Sequence, residues 1–331
     1  MIKAPVNRNA LWTFAVVCLL AIPSSGAAAS LLEPQLDEDD NYSETLTAIA
    51  DLEDGTYVQL QLNVSNLGVG DANGACRMLV VEPDQKAWTA SDRVGRDSWK
   101  ASASELSVTT CSAATAGGAT TIQAKLEKGA AKLAFAAAIQ PRSPPDAKVT
   151  VEGKSFAYAI AIPWAKVEAT FTVPGRGERK LTGFGYMDHS RSTTLPAQLA
   201  TRWVRYRGLS GGDSVLLLAR NLPDGTLRGW LWREKEPFAR PLAKLKLNRI
   251  DAKDQAKGYT IEGAAGDLTF TITSESQLYR YAPVEEYGVL GVLARSVVGN
   301  PVTRTYRATL DAQPATPPNA KRGILEVQHV Q

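Results

Sequence analysis

Apolar and polar positions alternate with a period of two along much of this chain. Val58, Leu60, Leu62 and Val64 are separated by Gln59, Gln61 and Asn63. Val167, Ala169, Phe171 and Val173 alternate with Glu168, Thr170 and Thr172, and Leu268, Phe270 and Ile272 with threonines. Successive side chains of a strand face opposite sides, so each segment reads as a strand with one buried and one wetter face. Turn chemistry punctuates them at Asp54-Gly55, Asn73-Gly74, Pro174-Gly175-Arg176-Gly177 and Pro223-Asp224-Gly225. Many strands joined by short turns predict an all-β, antiparallel sandwich or barrel. Helical periodicity is scarce. Its best candidate is Val289 to Val298, where composition does not decide between helix and strand.

Residues 1–29 break the pattern and read as a secretory signal. Lys3 and Arg8 form a basic start, Ala10 to Ile22 an apolar run too short to span a bilayer comfortably, and Ala27-Ala28-Ala29 a cleavage context before Ser30. Cys18 raises a lipoprotein alternative, but Val17 stands where a small residue is needed. The expected location is therefore exported, periplasmic or secreted. Cys76 and Cys111 remain after cleavage and are expected to pair in an oxidising compartment; two buried thiols are the alternative. On length, residues 30–165 and 166–315 divide into two β domains, followed by a proline-bearing tail, 316–331. The softer boundary falls near Pro163-Trp164, while Gln140 to Asp146 reads as a loop. No exact internal repeat is visible.

Removing Lys3 and Arg8 takes Lys plus Arg from 37 to 35, against 34 Asp plus Glu, a balance that argues against a nucleic-acid partner. No second apolar run approaches a spanning helix, which leaves only peripheral membrane contact. Walker, Rossmann and HExxH motifs are missing, and His189 and His329 are too few to complete a structural zinc site with two cysteines, so neither metal nor nucleotide cofactor is expected. Gly208-Leu209-Ser210-Gly211-Gly212 matches a nucleophile elbow, yet an apolar strand-like run from Val215 follows it, so it reads as a glycine-rich hairpin.

The segment Leu181-Thr-Gly-Phe-Gly-Tyr-Met-Asp-His-Ser-Arg-Ser192 carries the richest chemistry. If it is extended, Phe184, Tyr186 and Asp188 share one face, and Gly183, Gly185, Met187 and His189 the other. Asp188 and His189 then point to opposite sides and make no simple dyad. Either Asp188 lines an apolar cavity as an acid, or His189 is the cavity residue, or both are structural, with Asp188 paired to a base such as Arg202 and His189 bonded to a carbonyl. Trp203, Tyr206, Trp230 and Trp232 follow, interleaved with Arg202, Arg205, Arg207 and Arg220. Trp230 and Trp232 share a face of a strand, as a pocket wall or as core.

The order Gly183, Gly185, His189, Pro196, Ala200, Arg202, Trp203 resembles the lipocalin-like (calycin-related) superfamily of survival-factor proteins and carotenoid 1,2-hydratases, which some fungal Diels–Alderases join. Gln59 to Gly68 and Val298 to Val302 are similar to other patches of it. The resemblance implies two tandem lipocalin-like β-barrel or sandwich domains packed together, with an apolar cavity. One branch carries lipids; the other hydrates isoprenoid double bonds without metal or nucleotide. Gly185, Tyr186, Asp188 and His189 match the hydratases' G-Y-x-D-H motif, but Ser190-Arg191-Ser192 stands where they carry Asn-Trp-Gly. Two functions follow as expectations. One is a carrier of a hydrophobic small molecule, lipid or isoprenoid, with Phe184, Tyr186, Arg202, Trp203, Trp230 and Trp232 at the ligand. The other is a hydratase, cyclase or isomerase with Asp188 as general acid, assisted by His189, and Tyr186 steadying a cation through its ring. A purely structural module is the third.

Overall fold

The computed structural model describes residues 30–67, 70–209, 213–249, 258–284, 300–313 and 322–330. The signal segment, Ser210 to Gly212, the helix candidate Val289 to Val298 and residues 316–321 lie outside the described residues, whereas 322–329 of the expected tail form a central strand of the second sheet. Strands dominate and fall into two antiparallel sheets. The first holds β1 (Ser43–Leu52), β2 (Tyr57–Ser65), β3 (Asn73–Val81), β4 (Ala87–Val94), β5 (Trp99–Ser102), β6 (Glu105–Val108), β7 (Cys111–Ala116), β8 (Ala119–Leu126), β9 (Gly129–Phe135), β10 (Lys148–Val151), β11 (Lys154–Thr172) and β12 (Arg179–Ser192). The second holds β13 (Arg202–Gly208), β14 (Val215–Asn221), β15 (Leu227–Arg233), β16 (Arg240–Pro241), β17 (Lys244–Arg249), β18 (Tyr259–Ala265), β19 (Leu268–Tyr281), β20 (Val302–Gln313) and β21 (Arg322–His329). Among the described residues one short α-helix, α1 (Pro196–Leu199), lies between the sheets in sequence, with proline at its start, where the missing N–H costs nothing.

Both sheets follow one plan. The chain leaves the centre through β1 to β4, crosses to the far edge at β5, and returns until β12 pairs with β1. It then repeats the circuit from β13 to β16 and from β17 back to β21, which pairs with β13. The first sheet curls into a nearly closed barrel and the second into a half-barrel. A disulfide between Cys76 on β3 and Cys111 on β7 ties the two arms of the first sheet, as expected.

Turn chemistry explains most of the hairpins, with one correction. Asn73-Gly74 opens β3 rather than making a turn. A Cβ on Gly74 would lie 3.1 Å from both Trp99 and Val108, so this glycine serves the close approach of β3 to the opposite arm. Pro163-Trp164 is likewise no boundary. It lies inside β11, at register shifts between Ile160 and Ala165, where the chain bulges and a missing proline N–H is tolerated. The first sheet continues to Ser192 and the second starts at Arg202, so the change of sheet falls in 193–201 and the division at 165/166 cuts a continuous strand.

Three apolar clusters form. One fills the first barrel, including Leu46, Leu133, Phe135, Phe171 and Met187. A second lines the half-barrel, including Val204, Tyr206, Leu217, Phe270 and Val327. The third joins the sheets through Tyr57, Phe156, Ile160, Tyr186, Trp203, Leu218, Trp230, Trp232 and Ile324. Central strands thus face a barrel on one side and the other sheet on the other. That is why all but the last residue of β14 are buried, while the edge strand β4 exposes most of its residues.

Candidate functional site

β12 is the strand that positions the chemistry. Asp188 is registered between Thr47 of β1 and Ile160 of β11, deep in the first sheet. Alternation holds along it. Met187 joins the first barrel's core, whereas Tyr186 joins the cluster between the sheets. Asp188 and His189 accordingly enter different environments. The two glycines preceding them fit the barrel side: a Cβ on Gly185 would meet a Phe135 ring carbon at 2.5 Å, and one on Gly183 the Asp51 carbonyl at 2.3 Å.

On the inter-sheet face, Asp188 is 6% exposed and belongs to a buried polar row. Tyr158 Oη of β11 donates to Asp188 Oδ2 at 3.1 Å. The Tyr158 and Tyr186 hydroxyls are also bonded to each other. A phenol has one hydrogen, and Tyr158 gives its own to the carboxylate, so Tyr186 donates to Tyr158. From the second sheet, Arg207 of β13 reaches across. Its Nη2 lies 3.4 Å from Asp188 Oδ2, and its Nη1 donates to Glu326 Oε2 of β21 at 2.6 Å. Gln59 Nε2 of β2 lies 3.5 Å from Glu326 Oε1. The Tyr57 hydroxyl is buried nearby with no hydrogen-bond partner among the described residues.

Burial, followed by the negative charge of Asp188, drives the phenols of Tyr158 and Tyr186 well above the usual tyrosine range. Burial also pushes Glu326 upward, but the charges of Arg207, Arg205 and Arg77, with the Arg207 hydrogen bond, outweigh it and hold the carboxyl below its usual value. The row therefore consists of two neutral phenols, one guanidinium and the carboxylates it bridges. It can relay a proton along hydrogen bonds or hold a polar group of a ligand.

The aromatics predicted for a ligand wall are brought together in part. Trp203, Trp230 and Trp232 are all buried in the inter-sheet cluster, and half-buried Phe184 packs against it. Trp203 meets Phe156 at 5.6 Å between ring centroids, and Trp232 meets Trp164 edge-on at 4.9 Å. Beside Trp164 a cleft of about 360 Å³ opens, lined by Ala137, Gln140, Arg142, Ala161, Ile162 and Pro163. The Arg142 guanidinium lies 5.2 Å from the Trp232 ring. The β11 bulge shapes this cleft, close along the strand to Ile160, the cross-strand partner of Asp188.

Other expected partners lie elsewhere. His189 Nε2 lies 2.8 Å from Glu44 Oε1, and Glu44 Oε2 accepts from Tyr42 Oη and from the Gln35 N–H, each at 3.0 Å. That is a satisfied network on the barrel side of β12. Arg202 is not the base beside Asp188; Arg207 is. Arg202 pairs in register with His329 on the half-barrel's inner face, because it is odd by one position from the Trp203–Arg205–Arg207 face. The Tyr186 ring is occupied too: the Arg207 guanidinium sits 4.7 Å from its centroid. Sequence reasoning missed Tyr158, Glu326 and Tyr57, and left Arg207 among four arginines that could meet a ligand head group or cover the outer face. Its place two and four positions along from Arg205 and Trp203 was the available signal.

No family model matches the sequence, and no curated protein matches it. Solved structures do match its shape. A Nitrosomonas europaea protein provisionally designated AttH superposes with TM-score 0.65 at 12% identity, over 93% of this chain and 98% of that one. CghA crystallised with Sch210972 gives 0.61 at 12% identity, over 88% and 89%. Kievitone hydratase from Nectria haematococca gives 0.54 at 11%, over 87% and 88%. At such identity the likeness is one of fold, and in fold this chain has the two-sheet lipocalin-like architecture that its sequence resembles.

Proposed function

We propose that this chain is an exported binding protein for an apolar small molecule, of lipid or isoprenoid kind, held at the cleft that the β11 bulge opens on the first sheet beside the Trp164–Trp232 contact. The observation that carries this reading is the cleft at the β11 bulge, whose floor of Ala161, Ile162 and Pro163 meets the Trp164–Trp232 pair. Small-molecule sites are concave and mostly apolar, with few polar groups to set orientation. Here Arg142 and Gln140 supply those groups at the rim. The Cys76–Cys111 disulfide and the leader-like residues 1–29 support export. Native mass spectrometry of the purified protein, followed by organic extraction, tests the reading. A stoichiometric apolar ligand, lost in Trp164→Ala together with Trp232→Ala, is the expected result. An empty protein that no apolar ligand stabilises against heat would overturn it.

A second reading rests on the Tyr186–Tyr158–Asp188 hydrogen-bond chain, buried between the sheets. There Asp188, protonated when the substrate binds, gives that proton to an isoprenoid-like double bond and regains one from the attacking water or from the C–H that is lost, as a hydratase, cyclase or isomerase. The fold shared with kievitone hydratase and CghA keeps this chemistry in view. Incubation with the extracted ligand separates the two. The enzyme reading requires product from the wild type and none from Asp188→Asn, with ligand binding retained in both.

A further inference from the structure

The inner face of the half-barrel carries apolar side chains along most of its length and changes character at one end. There the strands β13, β17, β18, β20 and β21 bring Arg202, Arg249, Tyr259, Arg304 and His329 onto the same face. Alternation places them: Arg202 is two residues from Val204, Arg249 two from Leu247, Arg304 two from Tyr306 and His329 two from Val327, all residues of that core or packed on it. Arg202 is the direct cross-strand partner of His329, and Arg249 of Tyr259. Tyr259 and His329 form the floor, with Oη and Nε2 3.1 Å apart.

Three arginines share this end, and none is paired with a carboxylate among the described residues. By contrast, buried Arg207 and Arg307 each have a carboxylate, Glu326 and Asp51. Arg202 Nε is shielded from solvent and has no hydrogen-bond partner among the described residues. A buried donor without an acceptor is costly, as is a group of like charges. Burial and then the charges of Arg202, Arg249 and Arg304 drive His329 down to about 4, so at neutral pH it adds no fourth charge. Three positive charges therefore converge on one neutral imidazole.

We propose that this end of the half-barrel binds a small oxyanion, a carboxylate or phosphate, free or at the head of a larger ligand, between Arg202, Arg249 and Arg304 and above Tyr259 and His329. Guanidinium groups match the two oxygens of such anions in paired hydrogen bonds. The site is separate from the Asp188 row, which lies on the opposite face of β13.

The sequence has two histidines, so imidazole NMR of the full chain reads this site and an internal control, His189, in one spectrum. Inorganic phosphate and octanoate serve as separate probes, each against sodium chloride at matched ionic strength. Bound anion offsets the arginine charges, so the His329 titration should move up by about one unit or more while His189 stays. Calorimetry at pH 7 should show binding that Arg202→Met weakens about tenfold or more. Arg249→Gln, at an exposed position, gives a second variant that the fold tolerates and should weaken it too. A response to phosphate alone assigns a phosphate ligand; tighter octanoate assigns a carboxylate on an apolar body. No shift with either probe, or the same shift with sodium chloride, overturns the proposal.

Discussion

Arg207→Met tests the buried row most directly. The guanidinium is 4% exposed, 2.6 Å from Glu326 and 3.4 Å from Asp188, so one cation serves two carboxylates drawn from different sheets. Methionine keeps much of the volume and removes the charge. Breaking a buried pair by deleting one partner costs about 3–5 kcal/mol, because the charge left behind has neither partner nor water. Two carboxylates lose their partner here, so the expected loss at pH 7 is about 4–5 kcal/mol. The acid limb tells this apart from simple loss of packing. In the wild type Glu326 is held below its usual 4.5, so it contributes stability that is present above 4.5 and lost as pH falls through the lower folded value. Without Arg207, burial dominates and the folded state takes up the proton first. The deficit of the variant should then shrink as pH falls from 7 toward 5. Urea unfolding followed by tryptophan fluorescence at several pH values measures both. Arg207→Met with Asp188→Asn and Glu326→Gln should recover much of the loss, since no uncompensated charge remains. A loss below about 1 kcal/mol at pH 7, or one that does not change with pH, would refute the argument.

Three further outcomes follow from the same geometry. Reducing the Cys76–Cys111 bridge, which spans 35 positions, should cost about 3–4 kcal/mol in a chain-entropy account, read as a lower urea midpoint with reductant; an unchanged midpoint would contradict it. Glu44→Ala strips the acceptor from buried Tyr42, His189 and the Gln35 N–H, so stability should fall by about 2–3 kcal/mol, while ligand binding at the cleft stays within error because none of these residues lines it. Gly185→Ala drives a methyl into the Phe135 ring and should cost about 1–3 kcal/mol, with Phe135→Leu restoring part of it; thermal melts of the single and double variants decide.

Local alternation carried far along this chain because it depends only on neighbouring residues. It gave the strands around Val58, Val167 and Leu268, the opposed directions of Asp188 and His189, and the common face of Trp230 and Trp232. It failed where a second strand decides the meaning of a residue. Asn73-Gly74 has turn chemistry, yet the opposite arm of the barrel needs the missing Cβ there. Pro163 reads as a break until the bulge in β11 absorbs it. The Asp188 partner was sought at Arg202, the nearest arginine in the following strand's opening, although the parity of β13 puts Arg207 toward β12. Glu326 joins Arg207 across a separation of 119 residues, which no local pattern encodes.

The shared circuit of the two sheets was hidden for a related reason. Strand order is carried by turn lengths and by which face is apolar, and neither requires one residue to recur at a fixed period. The first barrel needs a filled interior, a disulfide across its arms and glycines where strands crowd. The half-barrel also has an apolar inner face and crowded glycines, at Gly229, Gly263 and Gly323, but no disulfide among its described residues, and it places arginines at one end of that face. Two copies of one plan have therefore diverged in what their inner faces do, while the surface between them concentrates aromatic and ionic side chains. Packing alone does not call for Tyr158, Asp188, Arg207 and Glu326 there, since apolar residues of similar volume in place of a buried ion pair are often neutral or stabilising. Their presence is the reason to look for proton chemistry between the sheets, beside the ligand cleft that the β11 bulge opens on the first sheet.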